Sequence, residues 1–175
     1  MALSLSYKRK GSGPALMILH GFLGMGDNWI TMSSRLAEEF DVIVPDLRNH
    51  GNSPHSTEFS FEAMAGDLMQ LTADLNINTC SILGHSMGGK LAMYYALKFP
   101  EKISKLIVAD ISPFTLPEDP SHRILLNTMK DFDFTSVKNL REAEMLLSAK
   151  IHDPRAVQIC MKNIKKAQDG SLHWK

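Results

Sequence analysis

Residues 80–90 read CSILGHSMGGK, and this stretch decides the predicted fold. The apolar run that ends at Leu83 has the length of a buried strand, and a helical pattern begins at Met87 and stops before Pro100. A Gly-x-Ser-x-Gly sequence between a strand and a helix is typical of a sharp turn that exposes a nucleophilic serine. The Met87 amide, at the helix N-terminus, would face negative charge that develops during attack. We therefore predict Ser86 as a catalytic nucleophile and the Met87 amide as an oxyanion donor.

Short apolar runs alternate with helical patterns along the first part of the chain. The strand-like runs cover residues 15–19, 42–44, 80–83 and 106–109, and the helical patterns cover residues 28–40, 60–75 and 87–99. Strands and helices that alternate at this spacing predict an α/β fold with a mostly parallel sheet and helices on both faces. Residues 3–7 alternate between apolar and polar side chains, so we expect an outer antiparallel strand there.

The pattern changes in the second part of the chain. Residues 113–120 contain three prolines and predict a loop. Beyond that loop the pattern predicts helices only, one over residues 136–150 and another that is capped by Asp153 and ends near Gly170. We therefore divide the chain into a sheet domain, residues 1–112, and a helical segment, residues 113–175.

Composition narrows the classes of function. The chain has 175 residues, 44% of them hydrophobic, and its 19 basic and 19 acidic side chains leave no net charge. This balance is ordinary for a globular domain and argues against a nucleic-acid partner. No apolar run approaches the ~20 residues of a membrane span, and we predict no signal peptide. The 2 cysteines form no disulfide framework, so a reduced cytoplasmic setting is expected. Without zinc-ligand spacing or a phosphate-binding glycine loop, we expect no metal and no cofactor.

A second glycine motif follows the first apolar strand. Residues 20–24 read HGFLG, and a loop at this place supplies the other oxyanion amide when a nucleophilic serine turn is present. The N–H of Phe22 is the best candidate, paired with the N–H of Met87. The glycines on either side would let the backbone approach a substrate closely. We expect three residues to line the substrate pocket or orient its backbone: His20, Gly21 and His85.

Three strings together resemble a known family, the α/β-hydrolase superfamily. They are DLRNHGNSPH at residues 46–55, GHSMGGK at residues 84–90 and VADISP at residues 108–113. The combination is similar to the small acyl esterases with an abhydrolase domain, and the similarity covers the whole chain. The resemblance implies a three-layer α/β sheet, a helical lid over residues 113–175, and a small acyl ester or thioester as substrate. A serine at position 86 argues against the dehalogenase and epoxide-hydrolase branches, which carry an aspartate there.

The resemblance also bears on the acid of a catalytic triad. Asp110 follows the strand after the serine turn, where some members of the superfamily place that acid. Its alternative role is a loop carboxylate that orders the turn into Pro113. Asp46 also lies at a strand end, but the resemblance implies that it orders the loop at residues 48–51.

The resemblance also requires a histidine that acts as the catalytic base. Of the 7 histidines, only His173 comes late enough for the superfamily order of serine, acid and histidine. No strand-helix unit precedes it to carry it back to the sheet. We therefore expect the catalytic histidine beyond Lys175, in a longer hydrolase of which this chain lacks the last two strands. A sheet without those strands would leave an unpaired edge, which favours self-association.

Other functions share the same turn. Acyl transfer to an acceptor other than water, hydrolysis of a carbon–carbon bond and cofactor-free peroxidase-like chemistry all use this nucleophile and differ in the pocket. From a different class, the chain could be a binding protein that keeps the scaffold without catalysis.

Overall fold

Five strands form one mixed, mostly parallel sheet in the first part of the chain. Their order across the sheet is β1-β3-β2-β4-β5, and only β1 runs antiparallel to its neighbour. The strands are β1 (Tyr7–Lys10), β2 (Ala15–Leu19), β3 (Asp41–Pro45), β4 (Cys80–His85) and β5 (Ile103–Ala109). The predicted α/β class with a mostly parallel sheet is therefore confirmed. The outer antiparallel strand exists, but it covers Tyr7–Lys10 instead of the predicted residues 3–7.

Three helices connect these strands and cover both faces of the sheet. They are α1 (Ile30–Leu36), α2 (Phe61–Asp74) and α3 (Met87–Lys98). Alternate residues of β2 enter different cores, since Leu16 and Ile18 pack near Leu36, whereas Met17 and Leu19 belong to the core that contains Leu68. This alternation gives three layers, as expected for a sheet buried on both sides.

The predicted helix boundaries hold for α2 and α3 but not for α1. The Ser60 hydroxyl accepts the Ala63 N–H at 3.1 Å and caps α2. Before α1, residues Gly26–Trp29 form a 3-10 turn instead of the first turn of an α-helix. The Asn28 side-chain oxygen accepts the Met25 N–H within this turn at 2.9 Å. The helix therefore begins two residues later than predicted.

The structure, a computed structural model, describes residues 1–114 and 120–175. The chain separates into two compact units, Met1–Phe114 and Thr115–Lys175. Most of the loop predicted at residues 113–120 lies outside the described residues. Among the residues that are described, no helix is long and apolar enough to cross a membrane.

Over residues 120–175, the second unit contains three α-helices, a 3-10 turn at Phe134–Ser136 and a hairpin. Its elements are α4 (Pro120–Lys130), α5 (Leu140–Lys150), α6 (Pro154–Lys162), β6 (Ile164–Lys166) and β7 (Leu172–Trp174). Asp153 caps α6 through the Arg155 N–H at 2.9 Å, as predicted. The expectation of helices only is wrong, because α6 ends at Lys162 and the chain turns back through Asp169 and Gly170. An Asp-Gly pair is a hairpin signal, and Gly170 has the positive φ of 89° that such turns require.

Candidate active site

Ser86 lies between β4 and α3 with a strained backbone, at φ 52° and ψ −117°. Such a conformation costs a non-glycine residue about 1–3 kcal/mol, so its surroundings must enforce it. The Ser86 N–H donates to the Ala109 carbonyl at 3.0 Å, and its carbonyl accepts the N–H groups of Gly89 and Lys90. The side chain occupies the cap position of α3 but makes no capping hydrogen bond. The turn therefore presents the half-buried hydroxyl away from the helix backbone.

Two glycines permit the close packing around this serine. A Cβ on Gly88 would collide with the backbone carbonyl oxygens of Leu19 and His20. A Cβ on Gly21 would lie 3.3 Å from the Ser86 Cβ and 3.0 Å from the His85 Nδ1. The loop at residues 20–24, which we call the glycine loop, thus lies directly against the serine turn.

His20 is fully buried behind the glycine loop. Its Nε2 accepts the Leu47 N–H at 2.9 Å, and its Nδ1 lies 2.8 Å from the Gly21 carbonyl oxygen. Burial lowers the pKa of His20 to about 4, so the ring is neutral at physiological pH. Because both ring nitrogens contact backbone groups and no surface is exposed, the side chain orders two loops and does not face a ligand.

His85 and Asp110 lie at the ends of neighbouring strands, beside Ser86. The His85 Nε2 is 3.5 Å from the Asp110 Oδ2, and the two side chains are 41% and 86% exposed. Trp29 packs edge-on against the His85 ring with 6.3 Å between the ring centres. Asp110 adopts a positive φ of 56°. The carboxyl ends of parallel strands therefore bring an exposed carboxylate and an exposed imidazole to the side of the sheet where ligands bind in such folds.

Asp46 has a structural role. Its Oδ1 accepts the Gly26 N–H at 2.7 Å and its Oδ2 accepts the Asn52 N–H at 2.8 Å. Both carboxylate oxygens are thus used to hold backbone, as the resemblance implied for this residue.

Arg48 and Asp67 form a buried ion pair that the sequence patterns did not predict. Asp67 lies on α2 between Met64 and Leu71, at a position where the helical pattern calls for an apolar side chain. That interruption is the signal by which the pair could have been found, since a fully buried carboxylate almost always has a cationic partner.

His173, the only late histidine, lies on β7 in the second unit with an exposed side chain. Within residues 1–114 and 120–175, no cluster of three or more His, Cys, Asp or Glu side chains is arranged to hold a metal ion.

Comparison with known proteins identifies relatives of this arrangement. The sequence pattern of the alpha/beta hydrolase fold matches residues 14–144. An abhydrolase domain-containing protein of Schizosaccharomyces pombe is 34% identical over 166 residues, which cover 93% of this chain and 61% of that protein. The sn-1-specific diacylglycerol lipase ABHD11 of Danio rerio is 33% identical over 175 residues, with 95% and 54% covered.

Among solved structures, a marine microorganism esterase superposes with a TM-score of 0.95 at 40% identity. The match covers 99% of this chain and 68% of that esterase. This chain therefore spans 61% and 54% of the two curated relatives above, and 68% of the esterase.

Proposed function

Because this chain belongs to the alpha/beta hydrolase fold family, whose esterases and lipases are among its relatives, we propose that it hydrolyses acyl esters or thioesters through Ser86. The observation that carries the proposal is the backbone of Ser86, held at φ 52° between β4 and α3 with its side chain unused for capping. A strained, non-glycine residue at this point is expected where a hydroxyl must reach a substrate.

The proposed reaction has two steps. The Ser86 hydroxyl attacks the acyl carbonyl carbon, its proton passes to a base, and the leaving alcohol or thiol departs from an acyl-enzyme. Water then attacks the same carbonyl carbon and releases the acid and the free serine. The amides of Phe22 and Met87 stabilise the negative oxygen in both steps, and losing one such donor typically lowers the rate about 10²–10³-fold.

Asp110 is proposed as the carboxylate that orients the base. A general base needs a ring nitrogen with an unused lone pair near the serine hydroxyl. His20 does not meet this condition, because its Nε2 lone pair accepts the Leu47 N–H. Asp110 meets the condition for an orienting acid, since it is exposed at the end of β5, next to the Ala109 carbonyl that holds Ser86.

We also propose a cytoplasmic location. Cys80 and Cys160 are buried free thiols, and burial raises the pKa of each to about 11. Unpaired thiols of this kind fit a reducing compartment.

Labelling with a fluorophosphonate tests the nucleophile. When the base that accepts the serine proton is present, the wild-type protein is expected to form a covalent adduct at Ser86, located by mass spectrometry of the digested protein, and to hydrolyse p-nitrophenyl acyl esters. Ser86→Ala should lose both properties with an unchanged thermal midpoint. Ser104→Ala is the matched control, because that exposed hydroxyl contacts only Ser81 on the neighbouring strand and should leave both unchanged. Full activity in Ser86→Ala would overturn the proposal.

A further inference from the structure

Two buried histidines connect two loops beside the candidate site by hydrogen bonds. The His20 Nε2 accepts the Leu47 N–H at 2.9 Å, and the His50 Nε2 accepts the Leu23 N–H at 3.1 Å. Each ring thus reaches from its own loop to the backbone of the other. The ring centres are 5.1 Å apart. The glycine loop and the loop after β3 are therefore held together by two reciprocal hydrogen bonds.

The contacts of His50 define which nitrogen carries its proton. Accepting the Leu23 N–H requires a lone pair on Nε2, so the proton lies on Nδ1. Nδ1–H then donates to the Arg48 carbonyl, 2.9 Å away. The ring is neutral in this arrangement, and burial lowers the pKa of His50 in agreement with it. His50 is thus a directed acceptor for one backbone amide of the glycine loop.

That amide belongs to the peptide that follows Phe22. Leu23 has a positive φ of 56°, a conformation that a leucine adopts only when its surroundings hold it. The His50 contact fixes the Phe22–Leu23 peptide plane, and the Phe22 and His50 rings pack edge-on with 5.9 Å between their centres. His50 therefore contacts Phe22, the proposed oxyanion donor, at two places: the Phe22 ring and the peptide that follows Phe22.

His50 itself is anchored on a residue that a buried ion pair holds in place. The carbonyl that accepts its Nδ1–H belongs to Arg48, whose guanidinium binds Asp67 of α2 with no exposed surface on either side chain. Phe59 packs against the His50 ring from another direction, at 6.1 Å between ring centres. The chain of contacts thus runs from α2 through Arg48 and His50 to the Leu23 amide.

We propose that His50 is a positioning residue of the oxyanion hole, which holds the Leu23 amide and thereby aims the N–H of Phe22 at the substrate oxygen. The inference rests on the proposed function of Ser86 for its kinetic consequence, but the contact itself can be tested without it. A preorganised donor contributes only when its direction is maintained through the reaction, so a looser glycine loop would lower kcat more than it changes KM.

Two conservative substitutions separate the contact to Leu23 from the contact to Arg48. In His50→Gln, the side-chain amide oxygen reaches the position of Nε2 and can accept the Leu23 N–H. In His50→Asn, the shorter amide reaches the position of Nδ1 and keeps only the bond to the Arg48 carbonyl. His55→Asn is the control, because His55 is an exposed histidine of the same loop.

The first measurement is amide hydrogen exchange at Leu23, followed by NMR. We expect protection in the wild-type chain and in His50→Gln, and an increase in exchange of about tenfold or more in His50→Asn. An unprotected Leu23 amide in the wild-type chain would overturn the proposal without any variant. Equal protection in the Gln and Asn variants would also overturn it.

The second measurement is the kinetics of p-nitrophenyl ester hydrolysis. We expect His50→Asn to lower kcat about 10–100-fold at nearly constant KM, and His50→Gln and His55→Asn to stay close to wild type. If all three variants match wild type while Ser86→Ala is inactive, the positioning role of His50 fails and the proposed function stands. If Ser86→Ala is fully active, the proposed function fails, and the exchange data alone decide whether His50 holds Leu23.

Discussion

Arg48 and Asp67 form a two-point ion pair in which neither side chain has any exposed surface. The Nε and one terminal nitrogen of the guanidinium lie 2.7 and 2.8 Å from the two carboxylate oxygens. The remaining donors bind the backbone carbonyls of Glu58 and Ala63, and the Leu3 N–H binds the same carboxylate at 2.6 Å. The pair therefore joins the loop after β3, the start of α2 and the N-terminal segment.

Removing one partner of this pair should destabilise the chain strongly. Asp67→Asn removes the buried counter-charge of Arg48 and leaves only the exposed Glu58 carboxylate, 3.9 Å from the guanidinium. Breaking a buried pair in this way typically costs about 3–5 kcal/mol. Lys8→Met is the control, because Lys8 pairs with Asp27 and the two side chains are 57% and 50% exposed. We expect that variant to lose about 1 kcal/mol or less. Urea denaturation measures the free energy of unfolding of both variants. Similar losses in the two variants would contradict the prediction that the buried pair contributes more to stability than the exposed pair.

Alanine substitutions at two helical glycines should change the stability of the chain in opposite directions. In Gly88→Ala the new methyl group would collide with the Leu19 carbonyl oxygen, and the strand cannot move without disturbing Ser86. We expect a loss of about 3 kcal/mol or more and loss of phosphonate labelling. Gly66 lies inside α2 with nothing within 4 Å of an added Cβ. Gly66→Ala should therefore stabilise the chain by about 0.5–1 kcal/mol, because it removes backbone freedom from the unfolded state.

Stability should fall in mild acid because of the buried histidines. The pKa of His20 is about 4 in the folded chain, against its ordinary value of 6.5, so the unfolded chain binds more protons between these values. The contribution of neutral His20 to the free energy of unfolding is therefore fully present above about pH 6.5. It is lost as the pH falls to about 4, and the loss amounts to about 3 kcal/mol. The lowered pKa of His50 acts in the same direction.

The contribution of the histidines to this pH dependence of stability can be separated from the contribution of the carboxylates. A variant with His20→Gln and His50→Gln keeps acceptors for both backbone amides but cannot titrate. Urea titrations from pH 7 to pH 4 should show a smaller loss of unfolding free energy in this variant than in the wild type. Identical pH dependence in the two proteins would contradict the prediction.

Local patterns predicted the strand, turn and helix around Ser86, because each of those elements is specified by residues next to one another. The same holds for the Asp153 cap of α6. The hairpin of β6 and β7 was not predicted, because β6 has lysines at two of its three positions and the helical pattern before it was extended too far. The Asp-Gly turn was the better signal.

The contacts that support the site could not be predicted in this way. Arg48 meets a carboxylate 19 positions away, and His50 meets an amide 27 positions away. Such partners depend on the order of strands in the sheet, which brings the loops after β2 and β3 together. The periodicity of any one element contains no information about that order.

When residues 1–175 are produced by themselves, we expect the outer edge of β5 to cause self-association. Among the strands that the structure describes, β5 pairs only with β4, and Leu106 and Ile107 are 39% and 49% exposed. An unpaired edge with apolar side chains can pair with a second copy, and the absence of net charge leaves no overall repulsion between copies. We expect light scattering to show association that increases with concentration.

A charge placed on that edge tests whether β5 is the site of association. Ile107→Lys should restore the monomer, because an edge lysine would have to be desolvated in a paired strand. Leu97→Lys is the control, since Leu97 is 84% exposed and lies on α3, not on a strand. That variant should associate like the wild type. A wild-type chain that is monomeric at all concentrations, or equal association of all three proteins, would contradict pairing through β5.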